Sequence, residues 1–193
     1  PAVPAAVAAG RAAGVLEPLA PGTLHGPHAT SLRMSDLGYR NPDQSAVQVS
    51  ANSLEAYLTD LNHATHTIHP PYAALGVEVD GEYRQLNANL LQIENEYYSS
   101  IRPKRSPRAG EGTARALARG GVEYVEFRAL DICATEPTGI CPDEMHVMEA
   151  FAALCLMRTS ELLSGSEQAE CERNQLLVAR RGREPGLELE RGG

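Results

Sequence analysis

The stretch GGVEYVEFRALD, Gly120 to Asp131, decides how this chain is read. Side chains alternate across a β-strand, so Tyr124, Glu126 and Arg128 fall on one face and Val125, Phe127 and Ala129 on the other. A carboxylate and a guanidinium then stand side by side on a sheet surface; a cross-strand ion pair on a solvated face is the plainer alternative. Upstream, LQIENEYYSSIRPKR (Leu91 to Arg105) belongs to a run, Leu86 to Tyr98, that reads as a second strand with Glu94, Glu96 and Tyr98 opposite Ile93, Asn95 and Tyr97. Earlier still, ATSLRMS (Ala29 to Ser35) alternates as a short strand with Ser31, Arg33 and Ser35 on one face. As neighbours in one antiparallel sheet, the three strands would gather arginines and carboxylates into a single patch.

The rest of the chain supplies helices. Ser53 to about His66 carries Leu54, Tyr57, Leu58 and Leu61 at helical spacing, with Asn52 or Ser53 as N-cap and His69-Pro70-Pro71 as the stop. Asp80-Gly81 between short β-prone runs signals a hairpin turn. Asp143 to Leu163 and Glu167 to Ala179 read as helices, and Met145, Met148, Phe151, Ala152, Cys155 and Leu156 form an apolar stripe expected to be core. Strands first and helices last predict an α+β fold, an antiparallel sheet with packed helices. The Ala/Pro/Gly-rich residues 1–27 read as loop or linker, and 28–193 as the folded part.

With 193 residues and 42% hydrophobic content the chain can bury a core. It opens on Pro1 and stops on Arg191-Gly192-Gly193, which reads as a piece of a longer protein. No signal sequence and no run of about 20 apolar residues is present, so a soluble cytosolic protein without membrane contact is expected. Cys133, Cys141, Cys155 and Cys171 lack metal-site spacing and read as free thiols, with a Cys155–Cys171 bridge as the alternative. His63, His66 and His69 share one broad helical face; a partly exposed polar face accounts for them as well as a metal site does.

The net charge of −8 argues against a nucleic-acid binder. Between Arg102 and Arg119, however, six basic residues face Glu111 alone. That concentration suits a small polyanion such as a nucleoside triphosphate, or else a solvated surface loop. Carboxylate oxygens are natural Mg²⁺ ligands, and arginine presents a planar fork to phosphoryl and carboxylate groups. Together these residues describe an ATP-dependent carboxylate-activating site, needing no serine or cysteine nucleophile.

Four segments then carry a resemblance: ATSLRMSDLGY (29–39), LLQIENEYYSSIRPKR (90–105), GGVEYVEFRALDI (120–132) and GREPGLEL (182–189) resemble, in order and interval, the proteobacterial glutamate-cysteine ligase family. The resemblance implies ATP- and Mg²⁺-dependent joining of the glutamate γ-carboxylate to the cysteine amine through a γ-glutamyl phosphate, the first step of glutathione synthesis. It also implies a glutamine-synthetase-like sheet. Position by position, Arg33 is similar to the residue that holds glutamate, Tyr39 and Tyr98 to walls of the cysteine pocket, Glu126 to a magnesium ligand, and Arg128 to the arginine facing the transferred phosphoryl. Arg102 and Lys104 carry only the physical expectation of attracting ATP.

Two departures accompany the resemblance. His25 and His28 stand where the family usually has tyrosines. Family members are also much longer, and their N-terminal part supplies further acidic metal ligands and a histidine. The chain is therefore expected to need that part, and to be inactive alone. Alternatives are a non-catalytic structural or regulatory half-protein, and a carboxylate-amine ligase with another acceptor.

Overall fold

The protein is seen in a computed structural model, which describes residues 14–38 and 47–191. Along the chain run β1 (Glu17–Ala20), β2 (Thr23–His25), a 3-10 turn (Leu32–Met34), α1 (Leu54–His66), α2 (Pro70–Leu75), β3 (Glu78–Val79), β4 (Glu82–Tyr83), a second 3-10 turn (Glu94–Glu96), β5 (Ile101–Lys104), α3 (Thr113–Gly120), β6 (Tyr124–Phe127), α4 (Pro142–Met157) and α5 (Gly165–Arg181). They divide into two compact units, Tyr39–Ala129 and the pairing of Pro1–Gly38 with Leu130–Gly193. The fold is α+β, but the expected single sheet is replaced among the described residues by three antiparallel ribbons, β1–β2, β3–β4 and β5–β6.

In the unit Tyr39–Ala129, Ser53 caps α1 by accepting from the Ala56 amide at 3.0 Å. Leu61, Ala64 and Leu91 make its core, with Val47, Tyr57 and Tyr97 packed against them. Asp80 (φ 56°) and Gly81 (φ 81°) are both left-handed, as the two-residue turn joining β3 to β4 requires. Ala116 and Leu117 bury one side of α3. The start of α3 lacks a side-chain cap from Gly112, and Glu94 supplies one instead, its Oε2 accepting from the Ala114 amide at 2.9 Å.

Two expected strands are absent. Residues 86–98 form an irregular segment ending in the second 3-10 turn, with only an isolated bridge between Ile68 and Asn89. Its amide side chains compete with any ladder: Asn89 donates to the Thr65 carbonyl at 2.6 Å, Asn87 to the Gln92 carbonyl at 2.9 Å, and Gln92 accepts from the Leu86 amide at 2.8 Å. Ala29 to Ser35 likewise folds into a turn, because Ser31 accepts from the Met34 amide and Ser35 donates to the Leu32 carbonyl.

In the other unit, β1 and β2 form a hairpin inside the stretch expected to be loop. The C-terminal end of α5 docks on the Arg33 turn. The Thr30 and Ser31 amides both donate to the Ala179 carbonyl, at 3.1 and 3.2 Å, and Arg180 pairs with Asp36. A Cβ at Gly182 would lie 2.6 Å from Thr30, so only glycine permits this approach. Capping boxes start α4 (Cys141 with Glu144) and α5 (Ser164 with Glu167). The apolar stripe of α4 is not core: no residue of α4 is buried, and Leu156 is 89% exposed. The four cysteines are unbridged, Cys155 and Cys171 included.

Candidate active site

The β5–β6 ribbon realises the face read from GGVEYVEFRALD. Arg102 pairs directly with Glu126, and Lys104 with Tyr124. Alternation therefore puts Arg102, Lys104 and Glu126 on one face, and Ile101, Pro103, Val125 and Phe127 on the other. The strand stops at Phe127, yet the Arg128 amide still donates to the Ser100 carbonyl at 2.8 Å, which holds Arg128 in register beyond the strand end. Its guanidinium carbon stands 4.8 Å from the Tyr98 ring centroid, a cation–π contact. Tyr98 and Arg128 are thus brought together by backbone pairing and ring contact.

Glu126 is half exposed, but its Oε2 is shielded and receives no hydrogen bond. Lys104 Nζ lies 3.7 Å from that oxygen, within ion-pair reach and beyond a hydrogen bond. Glu94 and Glu96, expected on the same patch, are turned elsewhere. Glu94 caps α3, and Glu96 accepts from the Gln92 amide at 2.7 Å.

Arg102, expected to attract ATP, is only 7% exposed. It is buried on that same face, donating through Nη2 to the Asn95 carbonyl at 3.1 Å, while Nε has no hydrogen-bond partner. The adjoining cavity, lined by Tyr57, Glu94 and Leu117 among others, measures about 10 Å³ and is too small for a nucleotide. Burial lowers the Arg102 pKa, the charge of Arg128 adds to this, and Tyr57 and Glu126 oppose it. Burial conversely raises the Tyr57 phenol, against the pull of Arg102. Of the other basic residues, Arg105 is committed to the Gly120 and Gly121 carbonyls and Arg119 to Glu111.

Arg33 sits in the other unit on the first 3-10 turn, not on a strand. Its Nε donates to Asp131 Oδ1 at 2.6 Å and its Nη2 to the Leu130 carbonyl at 2.8 Å. These residues line an open cavity of about 730 Å³ with His25, Thr30 and Leu32. Partial burial works against ionisation of Asp131, but hydrogen bonds from Ser31 and Arg33, with the Arg33 charge, outweigh it and hold the carboxyl below its usual range. Asp131 ends the stretch that opened the reading; nothing in the sequence signals its pairing with a residue 98 positions away. His25 meets Glu17 across the hairpin, Nε2 to Oε1 at 3.2 Å.

Tyr39 lies outside the described residues. Among those described, no group of three or more His, Cys, Asp or Glu could hold a metal ion, so His63, His66 and His69 form no such site. His66 Nδ1 instead lies 2.8 Å from the Asn62 carbonyl, and His63 Nε2 3.3 Å from the Thr67 hydroxyl. No helix among the described residues is long and apolar enough to cross a membrane.

Against known proteins, the family model for glutamate-cysteine ligase matches residues 1–178. The glutamate–cysteine ligase of Pseudomonas putida (strain W619) is 49% identical over 178 residues, 92% of this chain and 34% of that protein. That of Shewanella halifaxensis (strain HAW-EB4) is 48% identical over 172 residues, 89% of this chain and 33% of that protein. A crystal structure of glutamate–cysteine ligase from Francisella tularensis in complex with AMP matches with a TM-score of 0.81 at 41% identity, covering 86% of this chain and 33% of that one. The chain spans about a third of the length of these relatives.

Proposed function

The chain belongs to the glutamate-cysteine ligase family, and from that premise we propose that it supplies the phosphoryl-transfer face and the glutamate-holding arginine of an ATP-dependent ligase acting on glutamate and cysteine. The observation that carries this reading is the assembly of Lys104, Glu126 and Arg128 on one ribbon, with Tyr98 against the Arg128 guanidinium. The AMP in the Francisella tularensis structure supports a nucleotide ligand.

A single carboxylate with one oxygen free of hydrogen bonds suits one ligand position of Mg²⁺, which takes one or two carboxylates besides phosphates and water. Glu126 is the one acidic side chain of the described ribbon strands, and the N-terminal part that the family resemblance implies would supply further ligands. Bound there, Mg²⁺ would neutralise polyphosphate charge. Lys104 attracts the polyphosphate, and the buried Arg102 adds positive charge on the same face. Arg128, steadied by Tyr98 and by its register to Ser100, presents its fork to the transferred phosphoryl, where a preorganised donor gains most. Arg33 holds glutamate, whose γ-carboxylate attacks the γ-phosphoryl of ATP to give a γ-glutamyl phosphate with ADP as leaving group, and the cysteine amine then displaces phosphate. Tyr98 and Tyr39 border the cysteine. The two units belong to a glutamine-synthetase-like fold in a cytoplasmic enzyme.

A second reading, a non-catalytic half-protein that docks a partner, is favoured by the uncovered apolar surface of α4. ADP release with glutamate and cysteine separates the two. The chain alone is expected to give none, and the chain joined to the N-terminal part of a ligase is expected to turn over. Turnover by the chain alone would contradict the half-site, and an inert joined protein would contradict the ligase reading.

A further inference from the structure

Arg33 rides on a single 3-10 turn, a short platform for a long side chain with several rotatable bonds. Two consecutive residues from a distant part of the chain compensate. The Leu130 carbonyl and Asp131 Oδ1 accept from Nη2 and Nε, the same edge of the guanidinium, at 2.8 and 2.6 Å. Asp131 is in turn held by a hydrogen bond from Ser31, and the Ser31 hydroxyl oxygen accepts from the Met34 amide at 3.3 Å. Ser31, Asp131 and Arg33 therefore tie the turn to the 130–131 segment at the wall of the 730 Å³ cavity.

We infer that Asp131 is the positioning residue for Arg33, fixing one edge of the guanidinium so that its plane is oriented in advance for a substrate carboxylate in this cavity. The inference rests on the reading that Arg33 binds the glutamate carboxylate. An arginine fork recognises a carboxylate by its plane as well as by its charge. Orienting that plane before binding removes an ordering cost from the binding step. Asp131 also balances the Arg33 charge, so directed N–H groups contribute more to recognition than net attraction does.

The first test uses the 193-residue chain and needs no activity. The ¹⁵Nε–¹Hε resonance of Arg33, assigned by its disappearance in Arg33→Lys, is expected to exchange slowly with solvent. Asp131→Ala should bring it to the fast exchange of a surface arginine, and Asp131→Asn, which keeps an acceptor, should restore most of the protection. Equal exchange in all three proteins would overturn the inference. In a full-length ligase built around this chain, Asp131→Ala should raise KM for glutamate about ten-fold or more, the worth of one charge-assisted hydrogen bond. KM for ATP should stay unchanged, and Asp131→Asn should recover much of the loss. Should Arg33→Lys raise KM for glutamate while Asp131→Ala does not, the positioning role fails and the Arg33 reading survives. An unchanged KM in Arg33→Lys overturns both.

Discussion

α3 and α4 invert the usual relation between apolar content and burial. The eight-residue α3 hides Ala116 and Leu117 at 0 and 1% exposure, while the 16-residue α4 hides nothing. In α3 Ala116 and Leu117 are buried while Arg115, Ala118 and Arg119 are exposed, and α1 and β5 lie against the helix. In α4 the apolar residues run round the whole circumference, from Met145 and Val147 through Phe151 to Leu156 and Met157. A helix of that kind belongs in an interior, and an uncovered one marks an interaction surface. Burial is thus decided by whether the chain supplies a facing surface. Among the described residues none covers α4, in a chain spanning about a third of its relatives' length.

The sharpest way to break this comparison is a matched pair of truncations. Leu117→Ala is expected to cost about 2–5 kcal/mol in urea unfolding, the range for a fully buried aliphatic side chain. Phe151→Ala, although it removes more atoms, should change stability by about 0.5 kcal/mol or less, as at other surface sites. Similar losses at both positions would show α4 packed as α3 is.

A smaller effect sharpens the packed side. Glu111, on the loop leading into α3, accepts from Arg119 at 2.8 Å and from the Arg108 amide at 2.9 Å, which depresses its pKa from 4.5 to about 2. A carboxyl with a depressed folded-state pKa contributes stability that is fully present above its unfolded pKa and lost as pH falls through the folded one. Unfolding midpoints measured from pH 5 to pH 2 should therefore fall more steeply in the natural protein than in Glu111→Gln; superimposable curves would mean that this pair does not act on α3.

The sequence was most legible where local rules and tertiary structure agree. Period two holds from Tyr124 to Phe127, although the strand stops short of Arg128, and Ser53, one of the two caps offered, and the Asp80-Gly81 turn appear as read. It was least legible where side chains displace the backbone's own pairing, as with Asn87, Asn89 and Gln92, or Ser31 and Ser35. Arg102 illustrates another limit. It falls in the basic stretch read as a polyanion site or a solvated loop; the β5–β6 register groups it with Lys104 and Glu126, and its burial depends on α3 packing beside β5, neither of which the sequence pattern carries. Asp131 was hidden for a similar reason, since its partner is set by the meeting of distant segments.

The central claim is that the ribbon face presents Arg128 to a transferred phosphoryl group. The most direct test is the rate of ADP formation, at saturating glutamate, cysteine and Mg-ATP, by a full-length ligase carrying this chain with and without Arg128→Ala. The expected result is a fall in kcat of about 10²- to 10³-fold, the effect of removing one preorganised transition-state donor, with the fold retained. An unchanged kcat in Arg128→Ala would contradict the claim.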